Sequence, residues 1–343
     1  QISFTFMRTF TLFFFFCLLT CLSLQAQLKI FPELGAQRAG ISALTPLKIE
    51  VSPRAAALGG ATTCLTGDGY SAYVNPAGMA ELDNFSFAAA NTFWVADINY
   101  AFLSASKPYN FGTLGLSVSA LNSGAMEVRT TFQPEGTGEL FYANYYTVGL
   151  SYARQLTQQF AWGATVKFVQ EQLAEFRANT GVLDIGFLYE TDVKKLRFAV
   201  LLQNFGPNST LRGSREVDTT FNTRDITLDS YPAPTTFKIG ISMVPWESED
   251  KKQSLMTTLQ LDHPSDNAES IRFGLEYAYM DLLYLRAGYQ FNVDDQAFPT
   301  AGIGLRSRVG RHPMYIDYGF TPNRFLGSVH RIGVNFRLNP VEK

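Results

Sequence analysis

The chain has 343 residues, is 14% aromatic with 29 Phe and 16 Tyr, only 17% charged, and carries 27 Gly and a formal net charge of −2. That balance excludes a charge-driven nucleic-acid partner and suits an all-β protein rich in tight turns. Length alone leaves open two ordinary domains or one large β domain.

The first six residues precede Met7, which reads as the start. Arg8 supplies a positive flank, 10–24 is an apolar run, and Ala26 offers a small residue for cleavage, so 1–26 reads as upstream residues plus a secretory signal peptide. The competing readings are a membrane anchor, which needs about 20 apolar residues, and lipidation at Cys21. Removing the signal takes Cys17 and Cys21 with it and leaves Cys64 alone, a small buried apolar group with no disulfide partner.

Residues 27–83 read as an N-terminal periplasmic segment and a plug. Small residues (Ala55, Ala56, Ala57, Gly59, Gly60, Ala61) let a short helix approach other backbone closely, and Gly67 and Gly69 permit positive φ in a tight turn. Pro76 disfavours the α region for Asn75 and stops a helix begun at Tyr70. The plug residues of interest are Arg54, Gly59, Gly60, Asp68, Asn75, Pro76, Ala77 and Gly78.

From 84 to 338 the pattern is alternation, with strands expected near 84–93, 97–106, 111–122, 142–155, 158–173, 179–190, 194–205, 233–244, 254–262, 270–280, 283–293, 297–308, 313–320 and 328–338, and a tail at 339–343. In the last of them Ile332, Val334, Phe336 and Leu338 share one face, and Arg331, Gly333, Asn335 and Arg337 the other. Alternation alone does not separate a sandwich from a membrane barrel. Three features favour a transmembrane antiparallel β-barrel of about fourteen strands. Segments are long enough to cross a bilayer at a tilt. The polar face is rich in Gly, Ser and Thr, and aromatics such as Tyr146, Tyr152, Trp246, Tyr277, Tyr279, Tyr289 and Phe291 fall near segment ends. Every second connection is brief, while the longest, 123–141 and 206–232, share the opposite side, as in barrels with short periplasmic turns.

The stretches SPRAAALGGA after Leu47-Lys48-Ile49, Tyr73-Val74-Asn75-Pro76-Ala77-Gly78, LRFAVLLQNFGP at 196–207, PAPTTFKIGIS at 232–242, LQLDHPSDNAESIRFGLEY at 259–277, LRAGYQFN at 285–292 and Val329-His330-Arg331 together resemble the PorV/PorQ family of Bacteroidetes outer-membrane proteins, itself similar to FadL-type barrels. The resemblance covers nearly the whole mature chain. It implies an outer-membrane component of the type IX secretion system that binds the C-terminal signal domains of cargo or the surface attachment complex, with the PorV, PorQ and other paralogue roles all open.

An enzyme is not expected. His263, His312 and His330 sit in or beside turns with no catalytic spacing, and no cofactor or metal is implied; Asp262, His263 and Asp266 read as a weak ion site or as a polar extracellular turn, the second favoured. The inward polar rows carry Lys167, Asp184, Arg197, Lys238, Asp262, Arg272, Glu276, Arg286, Arg306, Asp317, Arg331 and Arg337. They read as an anion-selective lumen or as ion pairs and hydrogen bonds holding the plug, the second favoured because buried charges need partners. Asp68, Glu81 and Asp83 offer such partners, and Arg54 is expected to meet Asp184 or Glu276. The loops offer Met126, Phe132, Arg212, Arg215, Phe221, Arg224 and Tyr231 as partner-binding anchors. Two functions follow: a secretion component engaging proteins through its loops, or a FadL-like channel passing hydrophobic small molecules past a displaced plug and through a gap in the wall. The second predicts a continuous apolar pocket beside the plug. Expected partners are outer-membrane lipids with either exported proteins or a hydrophobic ligand.

Overall fold

The structure, a computed structural model, describes residues 40–216, 223–293, 298–325 and 327–338. The expected signal peptide, the first part of the 27–83 segment, Phe221 and the tail lie outside the described residues.

The strands are β1 (Ser86–Phe93), β2 (Asn99–Tyr109), β3 (Gly112–Asn122), β4 (Met126–Glu127), β5 (Leu140–Phe141), β6 (Ala143–Gln155), β7 (Phe160–Leu173), β8 (Phe176–Glu190), β9 (Arg197–Phe205), β10 (Ser209–Glu216), β11 (Thr223–Tyr231), β12 (Thr236–Glu247), β13 (Gln253–Pro264), β14 (Ser270–Tyr279), β15 (Leu283–Phe291), β16 (Thr300–Val309), β17 (His312–Asn323) and β18 (Gly327–Arg337). Fourteen of them form the wall. β1 pairs with β18, and β8 with β9 from Glu190↔Arg197 to Leu183↔Phe205, so the antiparallel sheet closes on itself. Closure removes every edge from the wall, which a sheet spanning a bilayer requires.

Alternation sets the two faces as expected. On β18 Ile332 is exposed while Arg331, Gly333 and Asn335 are inside; on β7 Val166 and Phe168 are exposed and Thr165, Lys167 and Val169 buried. Leu150, at 64% exposed, belongs to an outward apolar band with Leu103, Leu116, Phe187 and Ile303. An apolar surface this continuous is stable against lipid rather than water. No described helix is long and apolar enough to cross a membrane.

Short turns join β2–β3, β6–β7, β14–β15 and β16–β17 at the end where β1 begins and β18 finishes. The long connections lie opposite, with two departures from expectation. Residues 206–232 are not a plain loop: β10 and β11 pair as a hairpin, and β10 meets β8 at Arg212↔Arg177, so it continues the line of β9 along β8 beyond the kink at Asn204, whose φ is 57°. The other departure is at 174–178, where β7 and β8 run on to Leu173↔Phe176 and a two-residue turn suffices. Both segments carry Arg and Glu without an apolar face. Strands that leave the apolar slab carry polar side chains on both faces, so period-2 hydrophobicity disappears while pairing continues.

The wall encloses the plug. Its first helix, α1 (Pro53–Ala57), has Pro at the first position and Ser52 as N-cap, whose Oγ accepts from the Ala55 N–H at 3.3 Å. The second, α2 (Ser71–Val74), ends where expected: Asn75 is extended, and its Oδ1 accepts from Ala77 N at 3.1 Å to start a 3-10 turn over Pro76–Glu81.

Candidate functional site

The lumen and its plug form the site. What lets a backbone segment lie flush on a β wall is the absence of Cβ atoms where they meet. A Cβ on Gly163 would stand 2.5 Å from Pro76 C and 2.6 Å from Ala77 N, one on Gly274 2.8 Å from Leu58 O, and one on Gly319 2.5 Å from Pro53 O. Gly115, Gly240, Gly288, Gly302 and Gly333 face Met79, Cys64, Gly59, Ala57 and Pro53 in the same way. The plug's own glycines divide the work. Gly59, Gly60 and Gly67 take positive φ. Gly69, expected to do likewise, instead abuts the wall, where a Cβ would lie 2.7 Å from that of Ala88. Gly78 leaves room for the Leu65–Thr66 backbone.

Polar contacts complete the seating. Gln260 Oε1 accepts from Thr62 N at 2.8 Å and Thr63 N at 2.9 Å. Asn75 Nδ2 donates to Thr63 O at 2.6 Å, and Thr165 Oγ1 donates to Ala72 O at 3.2 Å. Arg54 takes Glu276 rather than Asp184, in a fork with Nε–Oε2 2.8 Å and Nη2–Oε1 2.7 Å, while Asp68 lies 3.7 Å from the same guanidinium. Arg197 reaches Glu81 at 3.2 Å and Thr66 Oγ1 at 2.7 Å; Arg331 Nε donates to Glu50 O at 2.9 Å. Asp83 is exposed and makes no such contact. Cys64 is buried, and burial pushes its thiol up to about 12.

Not every inward charge holds the plug. Arg286 bridges Glu276 at 2.6 Å and Asp317 at 2.5 Å, Lys167 pairs with Asp184 at 2.5 Å, Arg272 with Asp262 at 2.7 Å, and Arg306 with Asp281 of the β14–β15 turn. These are pairs within the wall: Glu276 and Arg286 stand directly across in the β14–β15 ladder, while Lys167, opposite Val182, and Arg272, opposite Gln260, each reach a carboxylate two residues along the neighbouring strand. Asp262 and Asp266 are likewise bound, Asp266 by Lys48, and no group of ligands for a metal occurs among the described residues.

The upper lumen holds a feature that alternation concealed. Tyr100, Phe102, Leu121, Tyr145, Val169 and Val182 point inward and bury Leu44, Leu47, Val51, Tyr70, Tyr73 and Val74 of the plug. Tyr70 stacks on Phe102 at 5.9 Å, and Tyr73 meets its edge at 5.4 Å. On β2 both faces are apolar, Ala101 and Leu103 outward, so the run from Tyr100 to Leu103 was the sequence's trace of an apolar lumen.

Among the described residues the cavity beside the plug is not a continuous apolar one, being lined by charged and amide side chains as well as apolar ones. This cavity, of about 430 Å³, opens at the mouth, between plug residues Leu47–Glu50 and Tyr73 and wall residues Gln203, Lys238, Asp262, Arg272 and Gln290. A smaller one of about 140 Å³ lies at the other end, among Arg54, Asp68, Arg286, Asp317 and Arg337. The plug separates them. Among the described residues each of the fourteen strands is laddered to both neighbours, with register shifts at Leu183/Ile185 and Met243/Trp246.

The loop residues fall on two separate hairpins. Met126 pairs across the β4–β5 hairpin with Phe141, and Phe132 stands 95% exposed in the segment between them. Arg212, Arg215, Arg224 and Tyr231 fall on β10 and β11, where Arg215 is opposite Arg224.

No protein-family model matches the sequence, and no curated protein does. Solved structures share the fold. The toluene transporter TodX of Pseudomonas putida superposes with a TM-score of 0.56 at 12% identity, covering 84% of this chain and 97% of its own. The toluene transporter TbuX of Ralstonia pickettii gives 0.54 at 12%, covering 84% and 98%. The monoaromatic hydrocarbon channel CymD gives 0.55 at 11%, also covering 84% and 98%. At these identities the likeness is one of fold.

Proposed function

We propose that this chain is a non-enzymatic outer-membrane channel for hydrophobic small molecules, kept shut by its own N-terminal segment. The observation that carries the reading is the seated plug: the mouth cavity is floored by the plug's Leu47, Ile49 and Tyr73, so whatever enters meets a surface that must shift to let it through. Neighbours in fold that are named as hydrocarbon channels support this over the secretion reading that the PorV/PorQ resemblance suggests. The test is uptake of radiolabelled toluene and of a long-chain fatty acid by cells with and without the chain. Faster uptake with the chain is expected, and equal rates for both compounds would refute the channel.

A second reading, a type IX secretion component that engages exported proteins through its loops, is favoured by one observation. β11 has no second neighbour among the described strands, so its backbone groups offer a template for strand addition. Deleting the gene and measuring release of signal-bearing cargo decides it; undiminished release would rule it out.

A further inference from the structure

The mouth cavity is lined by one charge of each sign that no partner among the described residues takes up. Lys238 feels three carboxylates, Asp262, Glu50 and Asp184, and the like charge of Arg272. Asp262 stands opposite Lys238 in the β12–β13 ladder, yet it is bound by Arg272 Nε at 2.7 Å and Gln260 Nε2 at 2.6 Å. Asp184 is bound by Lys167 at 2.5 Å and by the Asn204 N–H at 2.7 Å. Glu50 accepts only the Ser52 N–H, at 3.3 Å. Among the described residues Lys238 makes no ion pair or hydrogen bond, and no cation lies within ion-pair distance of the Glu50 carboxylate. Lys48 and Asp266, the other charges lining the cavity, satisfy each other. An ammonium in a confined lumen costs free energy unless it is paired, and here Lys238 on the wall and Glu50 on the plug are left over across the cavity between them.

We propose that this cavity binds a small zwitterion, with its carboxylate on Lys238 and its ammonium on Glu50. Leu47, Ile49 and Tyr73 give it an apolar side, and Asn204 and Gln290 supply amides for the remaining polar atoms. The chemical class is an apolar free amino acid or dipeptide, and about 430 Å³ lies in the range of small-molecule sites. The proposal goes beyond the channel reading. It concerns binding to the closed protein, measured at equilibrium, whereas the channel reading is measured as passage, so either can fail alone.

The experiment is isothermal titration of the purified full chain with L-phenylalanine, L-phenylalanyl-L-leucine, 3-phenylpropionate, which lacks the ammonium, and phenethylamine, which lacks the carboxylate. At least one zwitterion is expected to bind, and each single-charge analogue at least tenfold more weakly. Lys238→Met and Glu50→Gln are each expected to weaken zwitterion binding at least tenfold. Lys238→Met is further expected to bring L-phenylalanine and phenethylamine to similar affinity. Absence of binding by both zwitterions overturns the proposal, as does 3-phenylpropionate binding as tightly as L-phenylalanine. Should a variant fail to fold, as judged by loss of β-sheet circular dichroism, the analogue series on the unaltered chain decides alone.

Discussion

Removing Arg54 is the perturbation whose consequence the structure sets most directly. Two charge-assisted hydrogen bonds, 2.8 and 2.7 Å, join it to Glu276, whose side chain is only 7% exposed. Each such bond contributes roughly 1.5–3 kcal/mol. After Arg54→Ala, however, Glu276 keeps Arg286 at 2.6 Å, so the carboxylate is not orphaned and the loss falls at or below the lower half of the two-bond sum, about 2–4 kcal/mol. Glu276→Gln is worse. It leaves Arg54 and Arg286 beside each other without their shared anion, with only Asp68 at 3.7 Å from Arg54 and Asp317 at 2.5 Å from Arg286 to offset the repulsion, a cost of about 3–5 kcal/mol. If this free energy holds α1 in the lumen, Arg54→Ala raises the population with an unseated plug by roughly 30- to 1,000-fold, at 1.4 kcal/mol per factor of ten. Single-channel recording in planar bilayers reads that population as open events, and limited proteolysis within 53–60 reads it independently. The expected order is Glu276→Gln above Arg54→Ala above the unaltered chain. An Arg54→Ala protein that folds and stays as closed and protease-resistant as the unaltered one would refute the reasoning, as would the reverse order of the two variants.

Three further outcomes follow from the same geometry. Gly163→Ala drives a Cβ into the Pro76–Ala77 backbone at 2.5–2.6 Å, whereas Gly181→Ala meets nothing nearer than Lys167 O at 3.9 Å. Bilayer conductance should rise for the first alone, and equal behaviour would contradict flush seating. Lys167→Met leaves Asp184 buried without its cation, an expected loss of about 3–5 kcal/mol in urea unfolding from micelles, and adding Asp184→Leu should recover most of it; no recovery would mean that the pair is not the cause. Cys64 should resist maleimide at pH 8 in the folded protein and react fully after denaturation. Its folded value of about 12 exceeds the ordinary 9.0, so the folded state binds the proton more tightly: the contribution to stability is full below pH 9 and is lost as pH rises toward 12. Labelling of the folded chain at pH 8 would show the thiol to be accessible.

The strand count, the two faces of the wall, the side bearing the short turns and the stop at Asn75 were legible because each depends on a local rule. Side chains alternate with period 2 along a strand, and Pro76 restricts the residue before it whatever lies around it. The β10–β11 hairpin was not legible, because its pairing is carried by backbone groups that every residue has, and no apolar face was needed to mark it. Nor were the partners of the charges. Arg54 had two plausible carboxylates in sequence, Asp184 and Glu276; register along β7–β8 and β8–β9 put Lys167 and Asn204 on the first, and the assembled wall left the second for the plug. The wall glycines could be seen in the sequence as a polar-face composition, but their meaning came from which plug atoms stand against them. Sequence by itself determined that this chain makes a barrel with a small-residue plug. The tertiary structure decided how the plug is latched and which charges remain free at the mouth, because pairing across strands far apart in sequence depends on register and closure, which act only once the sheet has joined itself.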